Sequence, residues 1–330
     1  MPRPTAGDLH IDRALTNVSV AYAQDPNGFV ADQVFRNIPV QMQSDKYYKY
    51  GSSDLFRSEM KKRASGTESE GIGFDVSTDN YLCDVYSLHM DIGDQERANQ
   101  DEPINLDRDA TNLLTHQSLL NKEKKFVEKF FTNGKWATNV TGVNGTPTSG
   151  QFLRWNDAAS TPIEDWRDAK AEVLESTGIE PRVGVLGYRT YVELIDHPDI
   201  VDRIKYSGGV GSNRPAIIGL EALAQLLDLD KLYVMKAVEN TAKQGLTQAN
   251  GFIGGKHALL LHVAPTAGLL TPTAGYTFSW NGLLGAGALG NRIKRYRMEH
   301  LAADRIEIDL AYDMKMVCSD LGYFFNTAVA

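Results

Sequence analysis

The sequence predicts an α+β protein in which a long β-hairpin and a long single helix precede a compact α/β region, with a long strand returning at the end. Three observations carry that prediction. Residues 40–100 alternate apolar and polar at both ends around a charged, glycine-bearing centre. Residues 103–131 keep an apolar stripe through about eight helical turns. Residues 306–316 alternate without a fault: Ile306, Ile308, Leu310, Tyr312, Met314 and Met316 against Glu307, Asp309, Ala311, Asp313 and Lys315.

Residues 1–39 read as an opening arm of weak periodicity, closed by Ile38-Pro39. The hairpin, residues 40–100, starts with Val40, Met42, Tyr48 and Tyr50, and ends with Tyr86, Leu88, Met90 and Ile92. Such alternation marks half-buried strands. Its tip is Lys61-Lys62-Arg63-Ala64-Ser65-Gly66-Thr67-Glu68-Ser69-Glu70-Gly71, a turn-like polar run. A lone two-stranded hairpin is marginal in water, and a compact domain seldom carries so long an excursion without a use for it. The expected partner is another copy of the same chain. Tyr48, Tyr50, Phe56, Lys61, Lys62, Arg63, Glu68 and Glu70 are therefore the candidate inter-subunit contacts on this arm.

An acidic connector over residues 91–102 leads to Pro103, placed to start a helix. Its stripe is Leu106, Ala110, Leu113, Leu114, Leu120, Val127, Phe130 and Phe131, with Asn133-Gly134 as the stop. Residues 101–160 hold this helix and a loop-rich stretch. Residues 161–300 read as a compact α/β unit. Thr161-Pro162-Ile163-Glu164 has the form of a capping box, and its helix runs to Gly178. Val183-Gly184-Val185-Leu186 is a buried strand, with a short helix around Tyr191 and Leu194 and a loop at residues 208–212. A helix over residues 221–227 and strands at 232–234 and 257–263 follow. Residues 301–330 bring the return strand.

Composition narrows the function. A chain of 330 residues has room for about two domains. Hydrophobic content of 42% and charged content of 23% are ordinary for a globular protein. A net charge of −8 opposes broad attraction to nucleic acid or anionic membrane. No apolar run approaches the roughly 18–20 residues that span a bilayer, and the opening residues lack a secretion signal's apolar stretch. Two cysteines, Cys83 and Cys318, exclude a disulfide scaffold or cysteine zinc site and read as small buried hydrophobes in a reducing cytoplasm.

The chemical motifs are weak. Gly285-Ala286-Gly287-Ala288-Leu289-Gly290 matches GxGxxG in form, with Asp309 about twenty residues on. Only 40 residues follow Gly290, too few for the rest of a doubly wound sheet, so a loop is expected. Residues 251–257 miss a phosphate loop, with Asn250 and His257 at positions that need a glycine and a hydroxyl. The 7 histidines form no metal pattern, and Asp91, Asp94, Glu96, Asp101 and Glu102 lack calcium-loop spacing. No catalytic residue, cofactor or metal is expected. The tip cations, followed by Glu68 and Glu70, suit an acidic surface on a neighbour or plain solvation. The denser patch of Arg292, Lys294, Arg295 and Arg297 suits phosphate or an inter-subunit salt bridge, with Arg292 and Arg295 as further contact candidates.

Taken in order, these parts resemble the major capsid protein of tailed bacteriophages, the Hong Kong 97-type fold. The likeness rests on residues 181–206, with Pro181-Arg182-Val183-Gly184-Val185-Leu186-Gly187-Tyr188, His197-Pro198-Asp199-Ile200 and Arg203-Ile204-Lys205-Tyr206. Leu232-Tyr233-Val234 with Asn240-Thr241-Ala242, then Tyr276-Thr277-Phe278-Ser279-Trp280, add to it. So does the ending, Ser319-Asp320-Leu321-Gly322-Tyr323-Phe324-Phe325-Asn326-Thr327-Ala328-Val329. The resemblance implies an N-terminal arm, an extension loop over residues 40–100, a spine helix with a peripheral-domain sheet, and an axial domain over residues 161–300. It implies a non-enzymatic shell protein of the virion, assembled in the host cytoplasm as hexamers and pentamers around double-stranded DNA. A portal, decoration proteins and, since no large helical pre-domain precedes the arm, a separate scaffolding protein are the implied partners. The family's namesake joins subunits through a lysine and an asparagine; Lys61 or Lys62 and Asn326 would be cast in that role, with no motif to fix them. A cellular nanocompartment shell of the same fold is the second reading, and a nucleotide-dependent enzyme the third.

Overall fold

A computed structural model describes residues 24–50, 56, 58, 60–69, 71, 73, 76–100, 104–207, 219–268, 271–285 and 290–330. The first elements are α1 (Ala31–Val34), β1 (Asn37–Val40), β2 (Ser44–Tyr50), β3 (Val76–Leu82), β4 (Asp84–Gly93), α2 (Asp94–Ala98) and α3 (Leu106–Phe130). Then come β5 (Thr138–Val143), β6 (Gln151–Leu153), α4 (Pro162–Thr177), β7 (Val183–Gly187), α5 (Tyr188–Asp196), α6 (Pro198–Ser207) and α7 (Leu220–Leu226). Short strands β8 (Lys231–Met235), β9 (Val238–Asn240), β10 (Asn250–Phe252) and β11 (Ala258–Leu261) follow. The chain closes with β12 (Gly275–Trp280), α8 (Asn281–Leu284), β13 (Asn291–Met298), β14 (Ala303–Met316) and β15 (Gly322–Asn326).

Two sheets organise the body. In the first, β14 pairs antiparallel with β12, β13 and β4, and β1 lies parallel to β12. The second runs β6-β5-β15-β11-β7-β8. Its inner strands β15, β11 and β7 are apolar on both faces because both faces are covered. Phe325, Leu260 and Leu186 join Trp155 and Trp166 in one core, packed with α4. Phe324, Leu259 and Val185, one position along each strand, join Phe126, Phe130 and Phe131 of α3 in another. The helix thus touches both sheets. Lower down, its Ala110 and Leu114 meet Ile306 and Ile308 of β14 and Ile92 of β4.

The long helix forms where the apolar stripe predicts it. Pro103 lies outside the described residues, and the Asn105 side chain accepts the N–H of Arg108 at 3.1 Å as the cap. The buried face differs in detail. Leu113 is exposed, whereas Ser118, Lys122 and Glu123 are buried. Segment 29–35 lies against this face and answers its polar groups: Lys122 Nζ donates to Asp32 at 2.8 Å, and Glu123 accepts backbone N–H groups of Val30 and Ala31.

Two local expectations need correction. The alternation over residues 86–92 predicts the second strand of the hairpin, but the hairpin pairs β2 with β3, from Ser44 opposite Leu82 to Tyr50 opposite Val76. The 86–92 alternation belongs to β4, which lies along β14 from Asp84 opposite Tyr312 to Gly93 opposite Ala303. There Met90 and Ile92 gain the apolar surface of Ile306, Ile308 and α3, which a two-stranded arm does not offer. The helix after Thr161 forms, but Thr161 makes no side-chain cap and Glu164 turns instead to the Arg203 guanidinium. Gly178 ends that helix at φ +67°, as expected of a glycine stop.

The opening arm as far as residue 23, the loop at 208–212 and residues 286–289 of the glycine motif lie outside the described residues. The glycine motif leads into strand β13 rather than a helix. Asp309, where a dinucleotide site would place its ribose carboxylate, is held by Ser87 and by the cations of β13. Among the described residues no helix is long and apolar enough to cross a membrane, and no group of His, Cys, Asp and Glu is placed to hold a metal.

Candidate functional site

The hairpin has two unlike faces. Side chains alternate across β2 and β3, so Tyr47, Asp79 and Tyr81 share one face and Tyr48, Val76, Thr78 and Leu82 the other. The first face is cemented to the chain's own body. Tyr81 stacks on Phe278 of β12 with ring centroids 4.6 Å apart and planes 15° apart, and Tyr47 lies 5.9 Å from the same ring. The Tyr47 hydroxyl donates to Asp79 at 3.0 Å, and Lys315 pairs with Asp79 at 3.3 Å. Burial, with the Asp79 charge, pushes the Tyr47 hydroxyl well above the usual phenol range. Cys83 lies fully buried beneath, its thiol pushed up to about 12 by burial and by the charge of Asp313.

Among the described residues the second face meets no counterpart. Tyr48 is 66% exposed, with Val76 and Leu82 on the same face and Met42 just before it. Towards the tip, Phe56 is 59% and Met60 96% exposed. Monomeric proteins seldom leave several large apolar groups together in water; such patches mark interaction surfaces. The Phe56 ring rests at the end of α4, where a Cβ on Gly178 would fall 3.1 Å from Cε1.

The tip itself is charged. Lys61, Lys62, Arg63 and Glu68 are exposed around a turn in which Thr67 N–H donates to Ala64 O at 3.3 Å and Gly66 takes φ +83°. Glu70 lies outside the described residues, as does the side chain of Tyr50, whose backbone ends β2.

Arg292 and Arg295 stand elsewhere, on β13, and their charge is answered within the chain. Arg292 pairs with Asp309 at 3.2 Å; Arg295 reaches Asp107 at 3.3 Å and Asp304 at 3.2 Å. Arg297 grips Asp94 with two bonds of 2.5 and 2.6 Å, and Arg305 of β14 grips Asp91 at 2.7 and 2.8 Å. Asp94 and Asp91 of the acidic connector are thus salt-bridged to β13 and β14. Burial raises the Asp309 carboxyl, but bonds from Lys294, Ser87 and Arg292 outweigh it and hold the group at about 2.

Sequence reasoning missed the aromatic clamp of Tyr47, Tyr81 and Phe278. Tyr81 follows the hairpin's own alternation, but no local signal ties it to Phe278, 197 residues away. It also missed a groove of about 530 Å³ between α3 and β4, lined by Val85, Leu88, Leu120, Asn121 and Lys124 among others.

No protein-family model matches the chain. It is 27% identical over 322 residues to the major capsid protein of Pseudomonas phage JBD67, covering 97% of both chains. It is 23% identical over 279 residues to that of Burkholderia phage BcepMu, covering 82% of this chain and 84% of the relative. Among solved structures, a phage-related protein from Bordetella bronchiseptica RB50 superposes with a TM-score of 0.68 at 19% identity, covering 92% of this chain and 93% of that one. The capsid of cyanophage P-SCSP1u gives 0.58 at 11% identity, covering 98% and 95%. The SrpI encapsulin of Synechococcus elongatus PCC 7942 gives 0.54 at 14%, covering 99% and 96%. The fold is the α+β, Hong Kong 97-like architecture of such shell proteins.

Proposed function

We propose that this chain is the structural major capsid protein of a tailed bacteriophage, a building block of the icosahedral head rather than an enzyme. The observation that carries this reading is the end-to-end likeness to a phage major capsid protein, 322 residues long with 97% of each chain included. The hairpin supplies a means. Its free face carries Tyr48, Val76 and Leu82, and Phe56 and Met60 lie further out, so each copy brings unmet apolar surface to its neighbours. Burying one such side chain stabilises by about 1.5–3 kcal/mol. A closed shell repeats the contact around every copy, so weak interfaces act together.

In this reading the copies gather as hexamers and pentamers in the host cytoplasm and enclose double-stranded DNA without reading its sequence. A net charge of −8 fits enclosure better than tight binding. A scaffolding protein, a portal and decoration proteins would be its partners, with Lys61, Lys62, Arg63, Glu68 and Glu70 meeting the adjacent copy. The same fold also serves an encapsulin, which keeps a nanocompartment shell as the second reading.

Electron microscopy of the purified chain, made alone and together with the phage's other head proteins, tests the proposal. Closed icosahedral particles that take in DNA support it. Dispersed chains under both conditions refute it, and DNA-free particles filled with an enzyme favour the second reading.

A further inference from the structure

Segment 29–35, which leads into β1 and so to the base of the hairpin, is held on α3 by a buried carboxylate. Glu123 is fully buried, and its Oε2 accepts N–H groups from Val30 at 3.0 Å and Ala31 at 2.9 Å. Among the described residues its Oε1, though buried, has no hydrogen-bond partner. An ionised carboxylate has about four acceptor sites, and leaving an oxygen of it dry and unbonded is costly.

The charged groups around it do not relieve that cost. On the strap, Asp32 carries the same sign and takes both bonds of Lys122, at 3.0 and 2.8 Å. On β14, Tyr312 lies 5.9 Å beneath the Lys122 ammonium. Along α3, Lys124 turns away to Glu239 at 2.6 Å. His116, two turns back on α3, stands edge-on to Phe29 with its Nε2 buried and without a partner among the described residues. Burial pushes the Glu123 carboxyl up to about 7; the two amides oppose this and Asp32 adds to it.

We infer that Glu123 is a proton-operated latch: protonated, it seats residues 29–35 firmly on α3, and on losing its proton it loosens them. The sign follows from the raised value. The stabilisation is complete below the ordinary carboxyl value of 4.5 and is lost as the pH rises to about 7. The latch therefore tightens in mild acid and slackens in mild alkali. It operates in the single subunit, so its test does not depend on the shell reading.

Hydrogen exchange of the full, unassembled chain between pH 5.5 and 8.5, corrected for intrinsic rates, measures the effect. Protection of residues 29–35 falls by about ten- to a hundredfold across that range, while β11 holds steady. In Glu123→Gln, which keeps the shape without the charge, the dependence disappears; in His116→Gln it persists. A flat wild type, a pH-dependent Glu123→Gln, or loss of the effect in His116→Gln overturns the inference. Carbon-13 titration of glutamate side chains in the wild-type chain gives a check that needs no variant. A midpoint near neutrality at Glu123 supports the latch, and one in the ordinary carboxylate range refutes it.

Discussion

The indole of Trp136 occupies the place where Gly322 would carry a Cβ, which would fall 2.1 Å from Cε3 and 2.4 Å from Cζ3. The ring has no freedom to yield, because its Nε1–H donates to Phe130 O at 2.7 Å. The end of α3 and the start of β15 are thereby locked together. Gly322→Ala is expected to destabilise the chain by about 3 kcal/mol, seen as a lower urea midpoint with an unchanged slope.

Phe325 is the centre of an aromatic group, with ring centroids 5.1 Å from Trp155, 5.4 Å from Trp166 and 5.4 Å from Phe152. It is also almost wholly buried. Truncation to alanine leaves a cavity that strands held on both sides do not close. The expected cost is about 3–5 kcal/mol in the same denaturation assay.

Acid acts through Asp309. Its folded value of about 2 lies below the ordinary 3.8, so its stabilisation is present above 3.8 and lost as the pH falls towards 2. After allowance for solvent screening this is worth about 1 kcal/mol. Asp309→Asn is expected to unfold more readily than the wild type at pH 7, with the gap narrowing towards pH 2.

The two thiols separate by reactivity. The thiolate is the reactive form, and Cys83 is buried with its thiol near 12, whereas Cys318 is half-buried. At pH 8 an alkylating reagent is expected to modify Cys318 first and Cys83 only after denaturant is added, as read by peptide mass spectrometry.

Assembly is expected to depend on the outer hairpin. Deleting residues 52–72 leaves a folded chain that forms no closed shells by electron microscopy. Phe56→Ser with Met60→Ser raises the concentration needed for assembly at least tenfold, since each lost burial is worth about 1.5–3 kcal/mol. Normal particles from the deletion would refute the role given to the hairpin.

Long periodic elements were legible in the sequence. α3 and β14 repeat their pattern so many times that no single residue obscures it. Partners were harder to read. The alternation of β4 tells which residues share a face but not which strand lies alongside, so by itself it fits the hairpin as well as β14. Lys122 and Glu123 broke the helical stripe because their partners sit some 90 residues earlier in the chain. The basic run of β13 and the acids of β14 carried a signal that went unused: Arg292, Lys294 and Arg295 fall opposite Asp309, Glu307 and Ile306, with Arg297 opposite Asp304.

Each sheet takes an interior strand from late in the chain. β14 leaves the ribosome after β4, β12 and β13, and β15 after β5 and β11. Until residues 303–326 emerge, neither framework can close, and a nascent subunit has no finished surface to offer its neighbours. A subunit cut short before residue 303 therefore lacks an interior strand in each of the two sheets.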